Sequence, residues 1–113
     1  MTTAHAPLAN VLEALACLLE SDGDQHWSRW MRTARARLLD DDPDAIRYLL
    51  SAYGGMGSFN DLVLGQRYDS NGFSWKPGYA ELNQHFDELR GEAYDLAQRI
   101  RRARARAAGG DSH

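Results

Sequence analysis

The sequence predicts a mainly α protein, a four-helix single domain with a small β-hairpin between helices 3 and 4. Three observations carry that prediction. Apolar residues recur at alternating three and four spacing in four separate segments, the period of one helical face. Between the third and fourth of these, Asp61 to Tyr68 and Phe73-Ser74-Trp75 flank Asp69-Ser70-Asn71-Gly72, and Asn-Gly between β-formers signals a hairpin because both residues tolerate the positive φ of a tight turn. The 113 residues, 43% apolar and 26% charged, suit one globular core that needs no disulfide or metal.

Helix 1 is marked by Leu8, Val11, Leu12, Leu15, Leu18 and Leu19, and is expected to stop near Ser21-Asp22-Gly23. Asp24 is a suitable N-cap for helix 2, whose apolar stripe is Trp27, Met31, Ala34 and Leu38 with Trp30 beside it. Asp42-Pro43 reads as the start of helix 3, since Asp caps and Pro suits the first helical position. Ile46, Leu49, Leu50 and Tyr53 form its buried side, and Gly54 sits where a left-handed C-terminal cap belongs. Helix 4 opens near Pro77 and carries Tyr79, Leu82, Phe86, Leu89, Ala93, Leu96 and Ile100, the most sustained pattern in the chain. Continued to Ala107 it would reach about 45 Å, beyond the roughly 35 Å expected of a compact domain this size. Its end is therefore expected to protrude, fray or pack on a partner. The domain is expected over residues 1–108, with 109–113 a disordered tail.

Composition narrows the function classes. A formal net charge of −3 predicts neither nucleic-acid nor membrane affinity for the whole molecule. The single cysteine, Cys17, excludes an internal disulfide and any zinc site built from several thiolates. The first apolar segment, Leu8 to Leu19, is broken by Asn10 and Glu13 and has no Lys or Arg before it, so it reads as no signal peptide, and it is too short to span a bilayer. The expected compartment is the cytoplasm.

No residue constellation meets the demands of catalysis. His5, His26, His85 and His113 are scattered without ligand spacing, so no metal or cofactor is expected. Asp22 with Asp24, and Asp40, Asp41, Asp42 and Asp44, lie where helices begin and suit capping better than acid–base work. Trp27 and Trp30 with Arg29 and Arg32 offer the parts of a base-stacking platform, but the projection puts the indoles on the core side and both arginines away from it. Ser58, Asp61 and a histidine lack a Gly-x-Ser-x-Gly elbow, and Cys17 has no basic residue near it in sequence to activate it. The tail holds Arg99, Arg101, Arg102, Arg104 and Arg106, the one feature that suggests nucleic acid. On a helix they form a collar sparing only Ile100, Ala103 and Ala107, and their charge also complements the helix dipole.

The least ordinary stretch is YGGMGSFNDLVLG, Tyr53 to Gly65. It lacks the Lys of a phosphate-binding P-loop and follows a helix where a P-loop follows a strand. Glycine amides in succession form a nest for a carboxylate or carbonyl, whereas the same glycines also suit a rigid connector closed by Ser58, Asn60 or Asp61. Both readings stand at this level. LLSAYGGMGSFNDLVL, Leu49 to Leu64, resembles a segment recurring in a group of small bacterial proteins classed only as a domain of unknown function. The resemblance implies a bacterial origin and a shared fold, and supplies no catalytic residues. Small helical proteins of this kind are often immunity or accessory partners of secreted toxins, an argument by analogy. The expectation is a non-enzymatic protein-binding module, an immunity or regulatory partner, using Gly55, Gly57, Ser58, Asn60 and Asp61 at the surface beside the hairpin. The alternative is a small nucleic-acid-binding accessory factor using the arginine collar. A monomer or weak homodimer is expected.

Overall fold

A computed structural model describes residues 4–54 and 57–110, with only the backbone described for 108–110. The order is α1 (His5–Ser21), α2 (Gln25–Leu39), α3 (Ala45–Leu50), β1 (Gln66–Asp69), β2 (Gly72–Trp75) and α4 (Tyr79–Gly110). Two single 3-10 turns, Ser51–Tyr53 and Phe59–Asp61, lie between α3 and β1. The expected architecture of four helices and one hairpin before the last is therefore present.

α1 and α2 pack antiparallel across the turn that Gly23 makes at φ +84°. Asp24 caps α2 by accepting the Trp27 amide at 2.9 Å, which satisfies one of the free N–H groups of its first turn. Leu8, Leu12, Leu15 and Leu19 of α1 meet Met31 and Ala34 of α2 and Phe86, Ala93, Ala97 and Ile100 of α4 in one buried core. Arg32 reaches back to α1, donating to Glu20 at 2.6 Å and Glu13 at 2.8 Å. Arg32 lies off the buried face of α2, as its place in the helical projection requires, and its guanidinium comes within 3.8 Å of the Cys17 sulfur. The Arg32 hydrogen bond holds the Glu20 carboxyl below its ordinary value, against a smaller opposing effect of desolvation. All of these groups are solvent-exposed, so the network chiefly sets the α1–α2 register.

Several boundaries differ from the sequence reading. α3 begins at Ala45, because the Asp42 carboxylate accepts the Asp44 amide at 2.9 Å and holds residues 42–44 as a turn. Gly54 is extended at φ −97°, ψ 142°, and so is no left-handed cap. The chain leaves α3 through a 3-10 turn instead. In the hairpin only Gly72, at φ +101°, takes the positive φ expected of both Asn71 and Gly72. Asp69 accepts the Asn71 amide at 2.8 Å and shapes the turn from the other side.

α4 has 32 residues, about 48 Å at 1.5 Å each. Phe86, Leu89, Ala93, Leu96 and Ile100 are buried as the seam requires, whereas Tyr79 is exposed and belongs to the hairpin. Residues 105–107 are exposed, so the end of α4 projects from the body it packs against. The helix continues through Gly110, two residues past the expected limit of 108, and 111–113 lie outside the described residues. Among the described residues no helix is long and apolar enough to cross a membrane.

Candidate functional site

The hairpin is held at its base and bare above it. Gly65 and Lys76 form a hydrogen-bonded pair, with the Lys76 amide donating to the Gly65 carbonyl at 2.7 Å. Asp22, just past the end of α1, accepts the Gly65 amide at 3.1 Å and the Lys76 ammonium at 3.0 Å. A carboxylate there opposes the helix dipole, and these two donors offset that cost. Asp22 thus anchors a segment 43 residues away, correcting its reading as a helix-start capping residue. Asn83 of α4 completes the anchor by accepting the Leu64 amide and donating to the Leu64 carbonyl, both at 2.8 Å. Gly65 has φ +83°, and a Cβ there would lie 2.7 Å from the Tyr79 Cβ, so the strand passes α4 at the closest approach a glycine permits.

Above this base, every residue of β1 and β2 is exposed. Tyr68 pairs across the ladder with Phe73, and Gln66 with Trp75, which places these four on one face. The aromatic rings run in a continuous line: Tyr68 to Phe73 at 5.2 Å, Phe73 to Trp75 at 5.0 Å, Trp75 stacked on Tyr79 at 4.7 Å. Their exposures are 73, 49, 42 and 40% in that order. Apart from Gln66, whose side chain accepts the Tyr68 hydroxyl at 2.9 Å, this face is aromatic. Arg67, Asp69 and Ser74 project from the opposite face. Four adjacent exposed rings on a firmly based ribbon form the kind of patch that marks an interaction surface.

The glycine loop is closed on itself. Gly55 lies outside the described residues. The Gly57 amide donates to the Asp61 carboxylate at 2.8 Å. Ser58 is buried and its hydroxyl accepts the Asn60 amide at 3.3 Å, while the Asn60 side chain donates to the Tyr53 carbonyl at 2.9 Å. Arg90 of α4 gathers the loop from beneath, donating to the carbonyls of Phe59, Asn60 and Leu62 at 2.7, 3.2 and 3.2 Å. Its guanidinium lies 4.5 Å from the Phe86 ring centre, and Phe59 is fully buried. Gly57, Asn60 and Asp61 are at the surface, but they are tied to α4 at Arg90, whereas the hairpin meets α4 at Tyr79. Those two levels are eleven residues, or about 16 Å, apart along the helix. The loop and the hairpin therefore form no joint site.

The five arginines of the tail divide between two depressions. Arg101 and Arg104 line one with Pro43, Ile46 and Leu50, where Arg104 donates to the Pro43 carbonyl at 3.3 Å. Arg99, Arg102 and Arg106 line another with Ala4, Pro7 and Leu96. No single stripe brings all five together. Trp30 stacks on Tyr48 at 4.8 Å and donates its indole N–H to the Tyr48 carbonyl at 3.3 Å, while Trp27 packs on Phe59 at 5.2 Å. Both indoles serve packing. Among the described residues no three His, Cys, Asp or Glu side chains are arranged to hold a metal ion.

Asp22, Asn83 and Arg90, which organise the site and the loop, carry no local signature, because each bonds a segment remote in sequence. The aromatic run was visible as β-formers, and its excess of rings over so short a ribbon was the available signal. Residues 20–71 match the model of a family described as a domain of unknown function, DUF6966, a little under half of the chain. The match ends within the hairpin turn, so it includes Asp22, Gly65 and β1 and leaves out β2 and α4. No curated protein and no solved structure matches the chain.

Proposed function

We propose that the chain is a non-enzymatic protein-binding module of bacterial origin whose recognition surface is the aromatic face of the hairpin. The observation that carries this reading is the exposed line of Tyr68, Phe73, Trp75 and Tyr79 on a ribbon fixed by Asp22, Lys76 and Asn83. Aromatic side chains bury much area with little rotamer entropy to lose, and a rigid base reduces the ordering cost of binding. The chemistry fits a protein surface bearing aliphatic or aromatic side chains, with acceptors for the tyrosine hydroxyls and the Trp75 N–H at its rim. Immunity or regulation toward a toxin is the favoured cellular role, by analogy with other small helical proteins.

The internal closure of Ser58, Asn60 and Asp61 favours the hairpin over the glycine loop as the partner site. The dispersal of Arg99, Arg101, Arg102, Arg104 and Arg106 over two depressions argues against the nucleic-acid reading. The test is recovery of a partner from the native host with three proteins of matched melting temperature: wild type, Phe73→Ser/Trp75→Ser, and Asp61→Lys. Loss of a specific partner in the hairpin variant alone is the expected result. Loss only in Asp61→Lys would return the site to the loop. Binding of DNA that weakens steeply with salt would restore the collar.

A further inference from the structure

The hairpin forms a sheet of only two strands, so both outer edges carry backbone groups without a neighbouring strand. Because the Lys76 N–H donates to the carbonyl of Gly65 directly across the ribbon, the alternation of an antiparallel ladder makes Arg67–Ser74 and Asp69–Gly72 the other inward-bonded pairs. The N–H and C=O groups of Gln66 and Tyr68 therefore point outward along β1. An exposed edge of this kind is a template for another strand.

The order Arg67-Tyr68-Asp69 determines which strand fits. Suppose β1 of a second copy lies antiparallel along that edge about a two-fold axis through Tyr68. Tyr68 then faces its own equivalent in a hydrogen-bonded pair, which its outward N–H and C=O require. Arg67 falls opposite Asp69 of the second copy, and Asp69 opposite Arg67, both in the non-hydrogen-bonded positions where side chains approach most closely. Both ion pairs form at once because the axis maps one onto the other. An arbitrary strand meets an alternating positive and negative edge and gains nothing from it. A register shifted by two residues would set like charges or uncharged groups against them.

From this we infer that the protein self-associates through β1, giving a four-stranded antiparallel sheet in the order β2-β1-β1-β2. The inference does not depend on the partner proposal. The two-fold axis runs normal to the sheet, so both aromatic faces lie on the same side and Tyr68 adjoins Tyr68 of the second copy. The aromatic surface doubles and becomes continuous. The short shared edge, four residues in β1, makes the association weak and reversible.

Charge exchange tests this directly by sedimentation velocity over a concentration series at low salt. Wild type is expected to shift from monomer towards dimer as concentration rises. Arg67→Glu alone and Asp69→Lys alone each set like charges across the axis in both pairs, and each is expected to weaken dimerisation by at least about tenfold. Mixed in equal amounts they restore it. The glutamate introduced in one variant then faces the lysine introduced in the other, while the native Asp69 of the first faces the native Arg67 of the second. A misfolded variant would not be rescued by mixing, so recovery separates the contact from a folding defect. The inference is overturned if wild type stays monomeric throughout, if either single variant dimerises as wild type does, or if the mixture stays monomeric. A dimer unaffected by these exchanges but abolished by Phe73→Ser would place the contact on the aromatic face and also overturn it.

Discussion

Three glycines of one segment should respond to the same substitution in three different ways. Gly54 has φ −97° with nothing within 4 Å of an added Cβ, Gly57 has φ +74° in equally open space, and Gly65 combines φ +83° with a contact of 2.7 Å to the Tyr79 Cβ. Alanine at Gly54 meets no strain and removes freedom from the unfolded chain, so it should be neutral or stabilising by up to about 1 kcal/mol. Alanine at Gly57 adds left-handed strain alone, about 1–2 kcal/mol. At Gly65 the same strain is joined by overlap between carbon atoms that normally stay about 3.5–4.0 Å apart, and overpacking of this kind typically costs about 1–3 kcal/mol. The combined cost is about 2–5 kcal/mol, a large part of the stability of a small domain. The contact is to a Cβ and a backbone Cα of α4, so no flexible side-chain end can move aside. Urea unfolding followed by helical circular dichroism gives the three values. The predicted order is Gly65→Ala far below wild type, Gly57→Ala modestly below, and Gly54→Ala at or above it. A Gly65→Ala variant as stable as Gly57→Ala would refute the close approach of the hairpin base to α4.

Two further outcomes follow from the anchors. Arg90→Ala removes the donor to three loop carbonyls and the contact with Phe86, and should cost about 2–4 kcal/mol. Arg90→Lys should recover less than half of that in the same urea measurement, because an ammonium lacks both the second nitrogen that Arg90 gives to Asp87 and the planar group that lies over Phe86. Tyr53 donates its hydroxyl to the Arg90 carbonyl at 2.7 Å, and burial raises its pKa well above the ordinary tyrosine value, with the Arg90 charge opposing and Asp95 and Tyr94 adding to the rise. A raised folded pKa means the unfolded chain loses this proton first. Stability from Tyr53 is thus fully present below about pH 10, the free tyrosine value, and declines as pH rises from there through the folded pKa. Tyr53→Phe should remove that alkaline component of the stability profile and cost about 1 kcal/mol at neutral pH.

What was legible in the sequence was local. The Asp24 cap lies three residues from the amide it accepts, and the α4 seam repeats within one helix, so spacing alone locates both. The hairpin was legible for the same reason, since its turn and strands are contiguous. Its exposure was not, because aromatic β-formers read equally well as a ribbon packed over helices. The Gly54 cap failed where the 3-10 turn after α3 took over the exit of the chain. Asp22, Asn83 and Arg90 were illegible because their partners lie 43, 19 and 31 residues away, and a polar residue on a helix surface looks the same whether it meets water or a distant loop. The glycines drew attention to Gly55 and Gly57, whereas among the described glycines the one under the tightest steric demand is Gly65.

A partner that recognises this protein should touch it at the hairpin face. A photo-reactive phenylalanine placed at Phe73 in one protein and at Asn60 in another, irradiated in the native host, compares hairpin and glycine loop in one experiment. The predicted result is a discrete adduct with a different protein from position 73 and none from position 60, the adduct disappearing when Trp75→Ser is added to the first. An adduct from position 60 with none from position 73 would contradict the account, as would a position 73 that links only to solvent or to random abundant proteins.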